Sequence, residues 1–153
     1  MTMLVYRITG RRYASDMSGV GAAISGGRWN KKGTAVLYTG GSQEIALLET
    51  MVHTPPMLVP ELDMLTIEIP DGSISTILAQ DLPPNWSDYP APSILAEITE
   101  SWIGTGVNIA LKVPSCIIHS ANNYILNCSH PNYRAKVKLK QRRNFPFDPR
   151  LKS

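Results

Sequence analysis

The 153 residues carry 15 lysines and arginines against 12 aspartates and glutamates, a net charge of +3, with 43% hydrophobic and 18% charged residues. These are ordinary values for a folded globular domain and exclude a disordered chain; a chain of this length hides roughly 68–70% of its unfolded surface, enough for one sizeable core. No run approaches the roughly 18 consecutive apolar residues of a membrane span. Met1 to Gly10 lacks a basic stretch followed by an apolar one, so the expectation is a single domain over residues 1–153 in the cytoplasm.

In chain order, Leu4 to Ile8 reads as a short strand, Gly19 to Gly27 as a glycine-rich loop, and Asn30 to Gly33 as a turn. Ala35 to Thr39 is apolar and β-branched enough for a buried strand, broken by Gly40-Gly41. Ser42 then has the place and chemistry of a helix N-cap, with Glu44 in the first turn where the dipole favours an acid. Ile45, Leu48 and Val52 recur at i, i+3 and i+7, which predicts an amphipathic helix over Gln43 to His53 that Pro55-Pro56 ends.

Leu62 to Ile69 alternates as a strand closed by Pro70-Asp-Gly72, and Leu82 to Pro92 reads as a Pro- and aromatic-rich surface loop. Pro92 to Trp102 predicts a second helix, with Ser93 near its start and Gly104 past its end. Ala110 to Val113, Cys116 to His119 and Tyr124 to Asn127 read as strand pieces, and Cys128 to Pro131 as a turn. Strands outnumber helices and do not alternate with them regularly, which predicts an α+β fold rather than a doubly wound sheet.

The stretch Arg134 to Arg143 holds six basic residues and no acid. Val137 and Leu139 alternate with Lys136, Lys138 and Lys140, the pattern of a half-buried strand with a solvated basic face. Anion or partner contact and nucleic-acid binding are the other readings of such a run. No recognition helix or aromatic-basic motif accompanies it, so direct nucleic-acid binding is not expected.

Cys116 and Cys128 are the two cysteines, and His53, His119 and His130 are scattered, so no metal site is expected. There is no Walker A loop, no Gly-x-Gly-x-x-Gly opening a helix after a strand, and no Gly-x-Ser-x-Gly elbow. What remains is a spaced set. Arg28 lies in a glycine-flanked loop, Tyr38 near a strand end, Glu49 at the border of a helix's apolar face, and Ser115 after a proline. A carboxylate at such a border needs a partner or a purpose. Each of the four also has a structural reading: Arg28 bonding loop carbonyls, Tyr38 as a core aromatic, Glu49 as a helix-surface acid, Ser115 as a turn hydroxyl.

Gly26-Gly-Arg-Trp-Asn30, Ala35-Val-Leu-Tyr-Thr39 and Ser42-Gln-Glu-Ile-Ala-Leu-Leu-Glu49 closely resemble the front half of the RES domain. Asp81-Leu-Pro-Pro-Asn-Trp86, Leu111-Lys-Val-Pro-Ser115, Asn123-Tyr-Ile-Leu-Asn127 with His130-Pro131, and Phe147-Asp-Pro-Arg-Leu151 resemble its back half, in the same order. The arginine, glutamate and serine for which that family is named map to Arg28, Glu49 and Ser115. One departure is Asn127-Cys128, where the family often has Asn-Pro; a local turn change without loss of activity is expected.

The resemblance implies a split-sheet fold related to the ADP-ribosyltransferase (diphtheria-toxin-like) catalytic core. It implies a toxin that attacks NAD⁺ at its nicotinamide–ribose bond, paired with an Xre-like helix-turn-helix antitoxin in a multi-subunit complex. NAD⁺ is then a substrate and no prosthetic group is expected. Glu49, Arg28 and Tyr38 become the candidate catalytic residues, and Arg28, Tyr38, Ser115, Trp29 and Asn127 the candidate NAD⁺ contacts. Water, phosphate or a protein side chain remain open as acceptor; the last would make the chain a mono-ADP-ribosyltransferase. A catalytically silent antitoxin-binding module is the reading from another class.

Overall fold

The computed structural model describes residues 1–53 and 61–152, and the helix stop expected at Pro55-Pro56 lies outside them. Seven strands form one mixed sheet: β1 (Thr2–Gly10), β2 (Val36–Gly40), β3 (Leu62–Pro70), β4 (Ile74–Thr76), β5 (Ala110–Pro114), β6 (Asn122–Asn127) and β7 (Lys138–Phe145). Their order is β4-β5-β6-β2-β1-β3-β7, with only β4 and β5 parallel. Helices α1 (Val20–Ser25), α2 (Gln43–His53), α3 (Ile94–Thr105) and α4 (Tyr133–Lys136) complete an α+β fold. No described helix is long and apolar enough to cross a membrane.

The sheet is nearly two sheets. β2 and β6 share five residue pairs and β1 and β3 nine, but β1 and β2 are joined by the single pair Tyr6↔Gly40. Gly40 sits at this seam because α2 lies directly on it. A Cβ there would stand 2.7 Å from Ile45 Cγ2 and 3.0 Å from Ala46 N, so the Ile45 side chain would have to shift and the helix backbone would be crowded. The same contact decides which face of α2 is buried. Ile45 and Ala46 are covered, with Ala46, Leu47 and Met51 against Tyr6 and Ile8 of β1 and Leu62 and Met64 of β3. The expected Ile45–Leu48–Val52 stripe is therefore rotated; Val52 is 62% exposed.

Ser42 caps α2 as its chemistry predicts, its Oγ accepting the Ile45 N–H at 3.1 Å. Three local expectations fail. The loop over Gly19 to Gly27 contains α1, because Val20-Gly-Ala-Ala-Ile-Ser25 closes a helical turn once Gly19 has set its start. The second helix runs past Gly104 to Gly106, the glycine that adopts the left-handed conformation of a C-cap (φ 63°). Cys116 to His119 is a turn rather than a strand. There the Ser115 hydroxyl accepts the Ile117 and Ile118 amides at 3.0 and 3.2 Å and folds the chain off β5.

The basic run divides between α4 and β7. β7 is not half-buried, since every residue from Lys138 to Asn144 is exposed on this edge strand; Val137, just before it, supplies the buried contact. Its charges are partly spent on its neighbours. Arg142 Nε donates to Asp63 Oδ2 at 2.7 Å, Arg11 Nε to Asp63 Oδ1 at 3.3 Å, and Lys140 lies 3.8 Å from Glu68.

The bonds from Arg142, and then Arg11, hold the Asp63 carboxyl below the usual carboxylate range. Asp63 thus contributes stability above an ordinary aspartate pKa of about 3.9, lost as pH falls through the lower folded-state value. Between roughly pH 5 and pH 2 the melting temperature of the natural chain should fall more steeply than that of Asp63→Asn. Equal slopes would remove Asp63 from the acid response.

Candidate active site

Glu49 occupies the second turn of α2, one turn on from the residues that press on Gly40. Its Oε1 accepts two hydrogen bonds, from Ser115 Oγ at 3.0 Å and from Asn123 Nδ2 at 2.9 Å. The antiparallel pairing of β5 with β6 sets Asn123 opposite Val113, two residues before Ser115, so both donors stand at one end of the sheet. Three elements converge on one carboxylate oxygen. Among the described residues Oε2 accepts no hydrogen bond.

Arg28 sits at the tip of a tight turn closed by the Gly27↔Asn30 bridge. Its guanidinium donates to the carbonyls of Trp86 and Asp88 at 3.0 and 2.9 Å, anchoring the loop that follows Leu82. Cys116 reports on the space between: burial pushes its thiol up, Arg28 pulls it down and Glu49 raises it. Arg28 and Glu49 thus both act electrostatically on this thiol.

Tyr38, from β2, holds the Arg28 turn in place. Its hydroxyl accepts the Trp29 N–H at 3.0 Å and donates to Asn30 Oδ1 at 2.5 Å. A Cβ on Gly27 would lie 2.8 Å from that oxygen, so the turn closes over the phenol only with glycine there. Burial pushes the Tyr38 phenol up to about 12, and it stays protonated at neutral pH.

Three sequence expectations change meaning. Ser115 is fully buried, and its hydroxyl is spent on Glu49 and on the Ile117 and Ile118 amides rather than turned to a ligand. Trp29 is 3% exposed, in the cluster with Val36, Trp86 and Leu95, and supports the turn from behind. Asn127 is at the other end of β6 from Asn123, about 13 Å away at 3.3 Å per residue. There its Oδ1 accepts the Ser129 amide in the turn after the strand.

Two residues escaped sequence reasoning. Asn123 lay inside a recognised segment, but only the β5–β6 register shows that it, and not Asn127, reaches Glu49. Arg7 is the second. Its half-buried guanidinium donates to the Tyr38 carbonyl at 3.0 Å, across the seam, and has no carboxylate at ion-pair distance among the described residues. Burial pushes its pKa down. An arginine inside the otherwise apolar run Leu4 to Ile8 was the available signal, since buried charge is rare without a partner. Among the described residues no three His, Cys, Asp or Glu side chains gather as metal ligands.

The RES domain family matches residues 4–148. The chain belongs to the RES family. A Yersinia enterocolitica protein named Toxin Res is 40% identical over 152 residues, covering 98% of this chain and all of that one. A Sphingobium protein named Prs ADP-ribosylating toxin is 34% identical over 158 residues, covering 99% of this chain and 98% of that one. The fold matches a chain from the crystal structure of the M. tuberculosis MbcT–MbcA toxin–antitoxin complex with a TM-score of 0.79 and 19% identity, over 99% of this RES chain and 87% of the other.

Removing the Tyr38 hydroxyl leaves the Trp29 amide and Asn30 Oδ1 without this partner. Tyr38→Phe should lose about 1–3 kcal/mol of unfolding free energy in urea. A wild-type midpoint would show that the Gly27–Asn30 turn does not depend on that hydroxyl.

Proposed function

We propose that this RES domain, a single unit over residues 1–153, is the toxin of a toxin–antitoxin pair and arrests growth by cleaving NAD⁺ at its nicotinamide–ribose bond. The observation that carries the reading is the Glu49 carboxylate, fixed through Oε1 by Ser115 and Asn123 with Oε2 left for a ligand. Breaking the bond lets nicotinamide leave with the bonding electron pair, and positive charge develops on the ribose C1. A carboxylate opposes that charge, as carboxylates do in glycoside hydrolysis, and a well-placed group of this kind is worth roughly 2.7–4 kcal/mol.

The other side chains fit supporting roles. The Tyr38 ring packs against the nicotinamide while its hydroxyl stays on the Arg28 turn. Arg7, a half-buried cation with one hydrogen bond to a carbonyl, suits the pyrophosphate. Arg28 adds a second positive charge while its carbonyl bonds keep the Trp86 loop in place. The seam at Tyr6↔Gly40 favours kinship with the ADP-ribosyltransferase core, in which two half-sheets open a cleft.

Relatives named as toxins, and a fold neighbour solved as a toxin–antitoxin complex, support an antitoxin partner; we assign it to the Xre-like helix-turn-helix class. The name ADP-ribosylating toxin in one relative favours a second reading, transfer of ADP-ribose to a protein, which breaks the same bond.

The test is to incubate the purified chain with NAD⁺ beside Glu49→Gln and identify the products. Free nicotinamide from the wild type only is expected, and the partner of the ADP-ribose names the acceptor: water, phosphate, or a protein added to the mixture. Intact NAD⁺ under all three conditions would overturn the reading.

A further inference from the structure

We infer that Asn123 is a positioning residue that orients the Glu49 carboxylate. The inference rests on the reading of Glu49 as the reacting group. The Asn123 side chain makes one hydrogen bond among the described residues, from Nδ2 to Glu49 Oε1 at 2.9 Å, and its Oδ1 is buried without a donor. A buried amide oxygen left unsatisfied is a rare and costly arrangement. Asn123 accepts it in the orientation that turns its N–H toward Glu49; the opposite orientation would set oxygen against oxygen.

The geometry explains why two donors are needed. Ser115 reaches Oε1 from the end of β5 and Asn123 from the start of β6. A single donor leaves a carboxylate free to swing about that contact. Two donors from different strands fix the oxygen's position, and with it the direction of Oε2. Ser115 has two backbone amides on its own hydroxyl, so its bond to Glu49 is braced by the turn. Asn123 has no such brace, and the orientation of its amide is set by Glu49 alone.

The experiment compares NAD⁺ turnover, growth arrest on induction, and melting temperature for the wild type, Asn123→Asp and Asn123→Ala. Asn123→Asp keeps the shape and replaces the donor by an acceptor. Both variants should lose about 10- to 100-fold in kcat, Asn123→Asp the more, while KM for NAD⁺ stays within about threefold, because the reacting group is misaimed and not the binding surface. Wild-type kcat in either folded variant, a raised KM with kcat unchanged, or failure of both variants to fold would overturn the inference.

If the wild-type chain leaves NAD⁺ intact, the functional reading fails separately, and growth arrest decides for Asn123. Loss of arrest in a variant with a wild-type melting temperature supports the positioning role; full arrest by Asn123→Asp overturns it.

Discussion

Gly40 and Glu49 are nine residues apart, and the packing of one sets the position of the other. With no side chain at the seam, the α2 backbone comes within 3.0 Å of the place a Cβ would take. Helix α2 then lies across β1 and β2 with Ala46 inward, and 3.6 residues per turn bring Glu49 around toward the ends of β5 and β6. A bulkier residue at 40 would lift the helix off the seam and carry the carboxylate away from both of its donors. Site geometry here is a consequence of one close backbone contact.

The near-split of the sheet belongs to the same arrangement. The β4-β5-β6-β2 half buries one set of apolar residues under α3 together with Trp29 and Trp86, and the β1-β3-β7 half buries another under α2. A third set, with Val5, Leu65 and Ile67 from one half and Leu37, Tyr124 and Leu126 from the other, packs across the seam where backbone pairing is reduced to Tyr6↔Gly40. Arg7 bridges the seam through the Tyr38 carbonyl, and Tyr38 in turn holds the Arg28 turn. The charged residues of the RES site are thereby tied to the joint between two well-packed halves, with the flexible freedom of long side chains removed by specific partners.

Much of this was readable from the chain. The start of α2, the Ser42 cap and, to within a residue, the strands expected at 35–39 and 62–69 follow from local chemistry that agrees with the final fold: a capping hydroxyl, an acid in the first turn, β-branched runs, and glycines at the breaks. Glu49 was singled out as a candidate by the resemblance and its border position alone. What failed depended on distant contacts: the buried face of α2 was set by Gly40 and not by the helix's own apolar pattern, and β7 was left exposed on a sheet edge. Asn123 and Asn127 look alike in sequence and share a face of β6; only the register with β5 separates the one beside Glu49 from the one that caps a turn.

The account stands on Glu49 acting on NAD⁺. Its most direct test is the cellular NAD⁺ level after brief induction of the wild-type chain and of Glu49→Gln at equal abundance. A rapid fall in NAD⁺ with the wild type, and a steady level with Glu49→Gln, is the predicted result. Growth arrest with NAD⁺ unchanged, or an equal fall with both chains, would contradict it.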